Sequence, residues 1–167
     1  MMQDTQFDTT VAVEAKLHGE WLPRMQVYQQ QPELPRALIS LGESAAKTFD
    51  PKLVELVKLR ASQLNGCAFC MRMHAEEARQ LGEAQHRLDL LSAWRESQVF
   101  SARERAALHW TEALTKLITG PVTAEDIAKV RAQFSDKEIV DLSATIATIN
   151  AWNRIAASFH FTPEVPV

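Results

Sequence analysis

The chain has two cysteines, and both fall in "NGCAFCMRMH", residues 65–74: Cys67 and Cys70 stand three apart, with His74 four residues further on. Two sulfurs and an imidazole at this spacing suit three kinds of site: a disulfide staple, a metal clip or a redox centre. A staple across so small a loop removes little chain entropy, and a reducing compartment would open it. A closed structural zinc site needs four ligands. Cys67, Cys70 and His74 supply three, and a fourth would have to come from Glu55 or from His18, His86, His109 or His160, because no second cysteine pair exists. The redox reading asks least of the rest of the chain. A cysteine at a helix N-terminus has its thiolate stabilised by unpaired N–H groups and the macrodipole. His74, one turn beyond Cys70, is close enough to take or return a proton. Redox chemistry therefore leads, with zinc binding and inert buried cysteines as the alternatives.

Two helices must position these groups. Advancing a helical wheel from Cys67 to Leu81 puts Cys67, Cys70, His74, Ala78 and Leu81 within a stripe of roughly 60°. Arg72, Glu76 and Arg79 lie opposite, so the sulfur and imidazole face should turn inward or into an interface. The preceding segment, "DPKLVELVKLRASQLNG" (50–66), has an Asp cap, Pro in the first turn and a Gly stop. On its own wheel Glu55 lies off the Leu/Val stripe, beside Ser62 and near Lys58, which would suit a solvated carboxylate. A chain reversal at Gly66 changes that reading. In an antiparallel hairpin Glu55 lies about 16 Å up one helix and His74 about 12 Å up the other, at about 1.5 Å per residue. At roughly the same level, a carboxylate can orient the histidine and hold the proton a thiol gives up, directly or through a water.

The remainder is helical in pattern. Glycine is scarce, strand-like alternation is absent, and Ala, Leu, Glu, Gln, Lys and Arg fill the periodic segments. Helices are predicted over 33–47, from the cysteines to near Gly82, over 83–94, and over 101–118 with Ser101 as cap and Glu104 closing a capping box. Gly120-Pro121 breaks the chain, Thr123 caps the next helix, and Ser135 caps a last long one, for about seven or eight in all. Residues 1–30 read as one or two short helices, interrupted by Gly19 and Pro23. Phe49, Lys52 and Asn65 recur 85 positions later as Phe134, Lys137 and Asn150, which raises a degenerate helix-hairpin duplication as an expectation. Trp94, Trp110 and Trp152 read as core or interface, His109 and His160 as structural or surface histidines, and Phe69, Met71 and Met73 as the apolar lining of any pocket.

A chain of 167 residues with 46% hydrophobic and 23% charged residues suits a single domain, 1–167, with a real core. A net charge of −3 without a Lys/Arg cluster gives no footprint for nucleic acid, and no run approaches the length of a membrane span. The acidic N-terminal stretch does not resemble a secretory signal, so a cytoplasmic location is expected.

Glu55, eleven residues, Cys67-x-x-Cys70, three residues, His74 resembles the signature of the AhpD-like alkylhydroperoxidases in the carboxymuconolactone decarboxylase superfamily. The likeness extends over about residues 45–118, through "LVKLRASQLNGCAFCMRMHAEEARQLG", "LLSAWRES" and "SARERAALHWTEALT", and returns in "NAWNRIA" (150–156). It implies an all-α, AhpD-like helical bundle that assembles as a homotrimer or homohexamer and works as a thiol-dependent peroxidase on organic or hydrogen peroxide without a cofactor or metal. By the same resemblance Cys70 is the peroxidatic cysteine, Cys67 the resolving one, and Glu55 and His74 the proton relay. A Cys67–Cys70 disulfide would then be reduced by a dithiol donor, a lipoylated or thioredoxin-like protein. Phe69 departs from the pattern, which has a histidine immediately before its second cysteine. The decarboxylase branch lacks the Cys pair, which sets this chain apart from it. A general thiol-disulfide oxidoreductase, and a non-enzymatic redox-sensing or zinc-binding helical module, are the alternative readings.

Overall fold

A computed structural model describes residues 25–161. Among these residues the chain forms eight α-helices and no strand: α1 Val27–Gln30, α2 Glu33–Ala46, α3 Pro51–Asn65, α4 Ala68–Gln80, α5 Gln85–Leu90, α6 Ala102–Thr115, α7 Ala124–Arg131 and α8 Asp136–Ser158. Most of the stretch expected to hold one or two N-terminal helices lies outside the described residues, as does His18; its described end is α1.

The polar caps decide where helices begin. Asp50 accepts from the Lys52 N–H at 2.8 Å with Pro51 at the first helical position, and Ser101, Thr123 and Ser135 each close a capping box with Glu104, Asp126 and Glu138. Each such cap stabilises its helix by about 1 kcal/mol. Two ends differ from the sequence expectation. The helix expected over 83–94 starts at Gln85 and tightens into a 3₁₀ turn, Leu91–Ala93, and the one expected to reach 118 stops at Thr115 before a second 3₁₀ turn, Leu117–Thr119.

Helix α3 is the axis of the bundle, packing against α4, α6 and α8. Leu56, Val57 and Ala61 are fully buried on it. Its opposite faces feed two cores: Leu53, Val54 and Val57 join Trp110, Phe134 and Ile146 on one side, while Leu56 and Leu59 join Leu91, Trp94 and Leu108 on the other. A helix apolar on more than one face belongs in the interior. Two of the three pairs of the internal echo meet here, while Lys52 donates to the Gly82 carbonyl and Lys137 to Asp141. Phe49 packs edge-on against Phe134, with ring centroids 6.2 Å apart, and Asn65 donates to Asn150 at 2.9 Å. Matched positions at both ends of α3 thus touch their counterparts, so α3 and α8 run side by side in the same direction.

Candidate active site

The site is built on the α3–α4 hairpin. Gly66 ends α3 in the left-handed region, at φ 67°, where a side chain would be strained. The Cys67 N–H then reaches back to the Ser62 carbonyl at 3.1 Å. Cys67 is the N-cap of α4, one residue outside the helix expected to start with it, and its sulfur accepts from the Cys70 N–H at 3.2 Å. The fully buried α8 residue Asn153 braces this turn, donating to Ser62 Oγ at 3.0 Å and accepting from Asn65 at 2.9 Å.

Cys67 and Cys70 are joined as a disulfide, and each is 2% exposed. Their stripe is buried through His74 and Ala78 as expected, but Leu81, just past the helix end, is exposed. Glu55 is buried and lies against His74: the expected level match is a direct contact, His74 Nδ1 donating to Glu55 Oε2 at 2.8 Å. Lys58 donates to the other oxygen of Glu55, also at 2.8 Å. The solvated reading of Glu55 fails because the hairpin closes over it.

Glu77 is an addition that the sequence reading missed. Its Oε2 stands 2.9 Å from the same His74 Nδ1. The available signal was its position three residues beyond His74, a spacing that makes helical neighbours. Carboxylates only accept hydrogen bonds when ionised, so Nδ1 between two of them carries a hydrogen. Nε2, the other ring nitrogen, is buried and has no hydrogen-bond partner among the described residues. Such an orphaned buried atom is costly and calls for an explanation at a working site.

The charges reinforce one another. Burial alone would raise the Glu55 carboxyl, but the His74 hydrogen bond and the charges of His74 and Lys58 outweigh it and bring it to about 2. Burial alone would lower His74, but hydrogen bonds to Glu55 and Glu77 hold it above its ordinary 6.5. The stabilising effect of Glu55 is therefore complete above about 4.5 and is lost as pH falls toward about 2. That of protonated His74 is complete below 6.5 and is lost as pH rises through its raised value. The unfolding free energy of the oxidised protein, measured in urea, should exceed that of Glu55→Gln by most between pH 4.5 and 6.5. A difference that stays flat with pH would rule out this ion pair as a source of stability.

Glu55, His74 and Glu77 offer three ligand atoms within 4.8 Å of one another. The donor set does not favour a cation, because the Lys58 ammonium already holds Glu55 and the imidazole offers Nδ1–H, not a lone pair, to the carboxylates. Among the described residues no such trio includes a cysteine. Cys67 and Cys70 are bonded to each other, and His109, one of the candidate fourth ligands, pairs with Asp126 at 2.7 Å.

A cavity of about 540 Å³ opens beside the hairpin. Cys70 and His74 are in its wall and Cys67 is not. Phe69 and Met73 line it as expected, Met71 does not, and Trp152, expected in core or interface, lines it too. Phe161 bridges the aromatic side, edge-on to Phe69 at 5.5 Å and to Tyr28 at 5.9 Å.

Residues 32–113 match the carboxymuconolactone decarboxylase family. The uncharacterized protein YdfG of Bacillus subtilis is 36% identical over 80% of this chain and 91% of its own length. A crystal structure from Agrobacterium tumefaciens, of a protein of unknown function named as a candidate antioxidant defence protein AhpD, superposes with a TM-score of 0.82 at 38% identity, covering 86% of this chain and 99% of that one. The debrominase Bmp8 shares the fold at 18% identity and a TM-score of 0.74, over 98% of this chain and 90% of its own. The chain belongs to the carboxymuconolactone decarboxylase family and has the AhpD-like fold. Among the described residues, no helix is long and apolar enough to cross a membrane.

Proposed function

We propose that the protein is a thiol-dependent peroxidase that reduces organic hydroperoxides. The observation that carries this reading is that Cys70, disulfide-bonded to Cys67, shares the wall of an apolar cavity with a histidine whose Nε2 is buried and free. In the reduced protein the Cys70 thiolate attacks the hydroperoxide: an S–O bond forms, the O–O bond breaks, and the alkoxide leaves as the alcohol with a proton from His74. Cys67 sulfur then displaces water from the Cys70 sulfenic acid to give the observed disulfide. Two electrons and two protons from an external dithiol restore both thiols. A lipoylated protein, whose slender dithiol arm can reach cysteines that are 2% exposed, fits that role, and the exposed apolar side chains Ile39, Leu41 and Val140 support the self-association that a homotrimer or homohexamer requires.

The cavity argues for the organic substrate. Hydrogen peroxide would fill little of 540 Å³, whereas an apolar body can bury surface against Phe69 and Trp152. The 2% exposure of both cysteines opposes protein disulfides, the substrates of the alternative oxidoreductase reading. Reduced protein mixed with one equivalent of cumene hydroperoxide should lose both thiols and form one equivalent of cumyl alcohol. Unchanged thiols would sink the proposal. In steady state with dithiothreitol, kcat/KM for cumene hydroperoxide should exceed that for hydrogen peroxide, and Trp152→Ala should shrink that advantage by roughly tenfold. Equal loss on both peroxides would mean that Trp152 plays no part in selecting the substrate.

A further inference from the structure

The site holds one carboxylate more than the relay of Glu55 and His74 needs. Glu55 and Glu77 approach the same nitrogen, His74 Nδ1, at 2.8 and 2.9 Å, from different helices. Their surroundings differ: the Glu55 side chain is 8% exposed and that of Glu77 45% exposed. Helix α3 presents Glu55 and Lys58 to the imidazole, α4 presents Cys70 and Glu77, and α2 adds Glu43 at the cavity wall. The α8 side chains lining the cavity, among them Thr145, Thr148 and Trp152, carry no charge. The hydrogen-bonded set of Glu55, Glu77, Lys58 and His74 is neutral when the imidazole is protonated, and Glu43 adds one further negative charge at the cavity wall.

We propose that Glu77 is a positioning residue that shares the His74 Nδ1–H with Glu55 and thereby keeps His74 an imidazolium, leaving Nε2–H as a donor. The consequence for turnover rests on the peroxidase reading. Once the disulfide is reduced, the Nε2–H, without a partner in the oxidised protein, is free to steady the Cys70 thiolate one turn back on α4 and to supply the proton to the departing alkoxide. Either carboxylate alone would orient the ring, but the second strengthens the Nδ1–H hydrogen bond most in the cationic form, where its charge also attracts the imidazolium.

Glu77→Gln keeps the size of the side chain and removes its charge. NMR titration of the His74 ring in the reduced protein should show its midpoint moved to lower pH in this variant. The alkaline limb of kcat/KM with cumene hydroperoxide should move in the same direction, with a loss of about tenfold at pH 8 for one charge-assisted hydrogen bond. Glu76→Gln is the control. Glu76 binds Arg72 and Arg79 on the outer face of α4, and its loss should leave the midpoint in place. An unmoved midpoint in Glu77→Gln, or an equal shift in Glu76→Gln, overturns the proposal. A shift confined to Glu77→Gln upholds the charge assignment even if the wild type consumes no peroxide, a result that would overturn the peroxidase reading alone.

Discussion

Cys70→Ser is expected to reduce hydroperoxide consumption to the background of the dithiol reductant, a loss of about a thousandfold or more, as befits an attacking nucleophile. The geometry distinguishes it from Cys67. Cys70 lies in the cavity wall with His74, whereas Cys67 caps α4 outside that wall. A peroxide entering the cavity therefore meets Cys70 first. Cys67→Ser should still react once, leaving a sulfenic acid on Cys70 that dimedone traps and mass spectrometry reads as a single adduct. Retained turnover in Cys70→Ser, or an adduct on Cys67 in the Cys70→Ser variant, would reverse the two roles.

The hairpin that makes this possible was legible because its signals are local. Asp50, Pro51 and Gly66 mark the ends of α3 through backbone rules that hold in any context, and the rise per residue then places Glu55 level with His74. The wheel of α3 misled on its own terms. It places Glu55 off the Leu/Val stripe, but α3 is covered by α4, α6 and α8, so few of its faces remain for solvent. Only the partner helix shows that the carboxylate is buried against an imidazole. Glu77 was missed for a different reason: an acidic residue three positions from a histidine is common on exposed helices, and nothing in spacing says that both will reach one nitrogen. Asn153 and Phe161 are long-range cases. Asn153 braces the cysteine turn from 91 residues beyond Ser62, and Phe161 closes the aromatic wall beyond the end of α8, contacts that no periodicity encodes. The echo of Asn65 in Asn150 was visible as a repeat, while the hydrogen bond joining the two emerged only from the packing of α3 on α8.

The largest effect on stability is expected away from the sulfurs, at Glu112. This α6 residue is 5% exposed and accepts from Arg60 Nε at 2.8 Å, from Trp94 Nε1 at 2.8 Å and from Arg95. It thereby ties α6 to α3 and to the turn after α5, at the edge of the core that holds Leu56, Leu91 and Leu108. Burial pushes the carboxyl up, yet the hydrogen bonds from Trp94, Arg95 and Arg60 and the Arg60 charge prevail and hold it at about 2. Glu112→Ala removes the acceptor and leaves the Arg60 guanidinium, 11% exposed, without its counter-charge. Breaking a buried pair from one side costs about 3–5 kcal/mol, more than the replacement of both partners by apolar groups would. For a domain of this size that corresponds to a fall in Tm of roughly 10 °C or more. Because Glu112 is folded-state acidic, its contribution is complete above about 4.5 and fades as pH falls toward about 2, so wild type and Glu112→Ala should converge in acid. Calorimetry across that range checks both statements. Arg60 is two residues from Ser62, whose carbonyl receives the Cys67 N–H, but the disulfide depends on the hairpin itself. Below its lowered Tm the variant should still form the Cys67–Cys70 bond on one equivalent of peroxide. A variant as stable as wild type would show that Arg60 and Trp94 find solvent without cost, and that the network only accompanies the packing of α6 on α3.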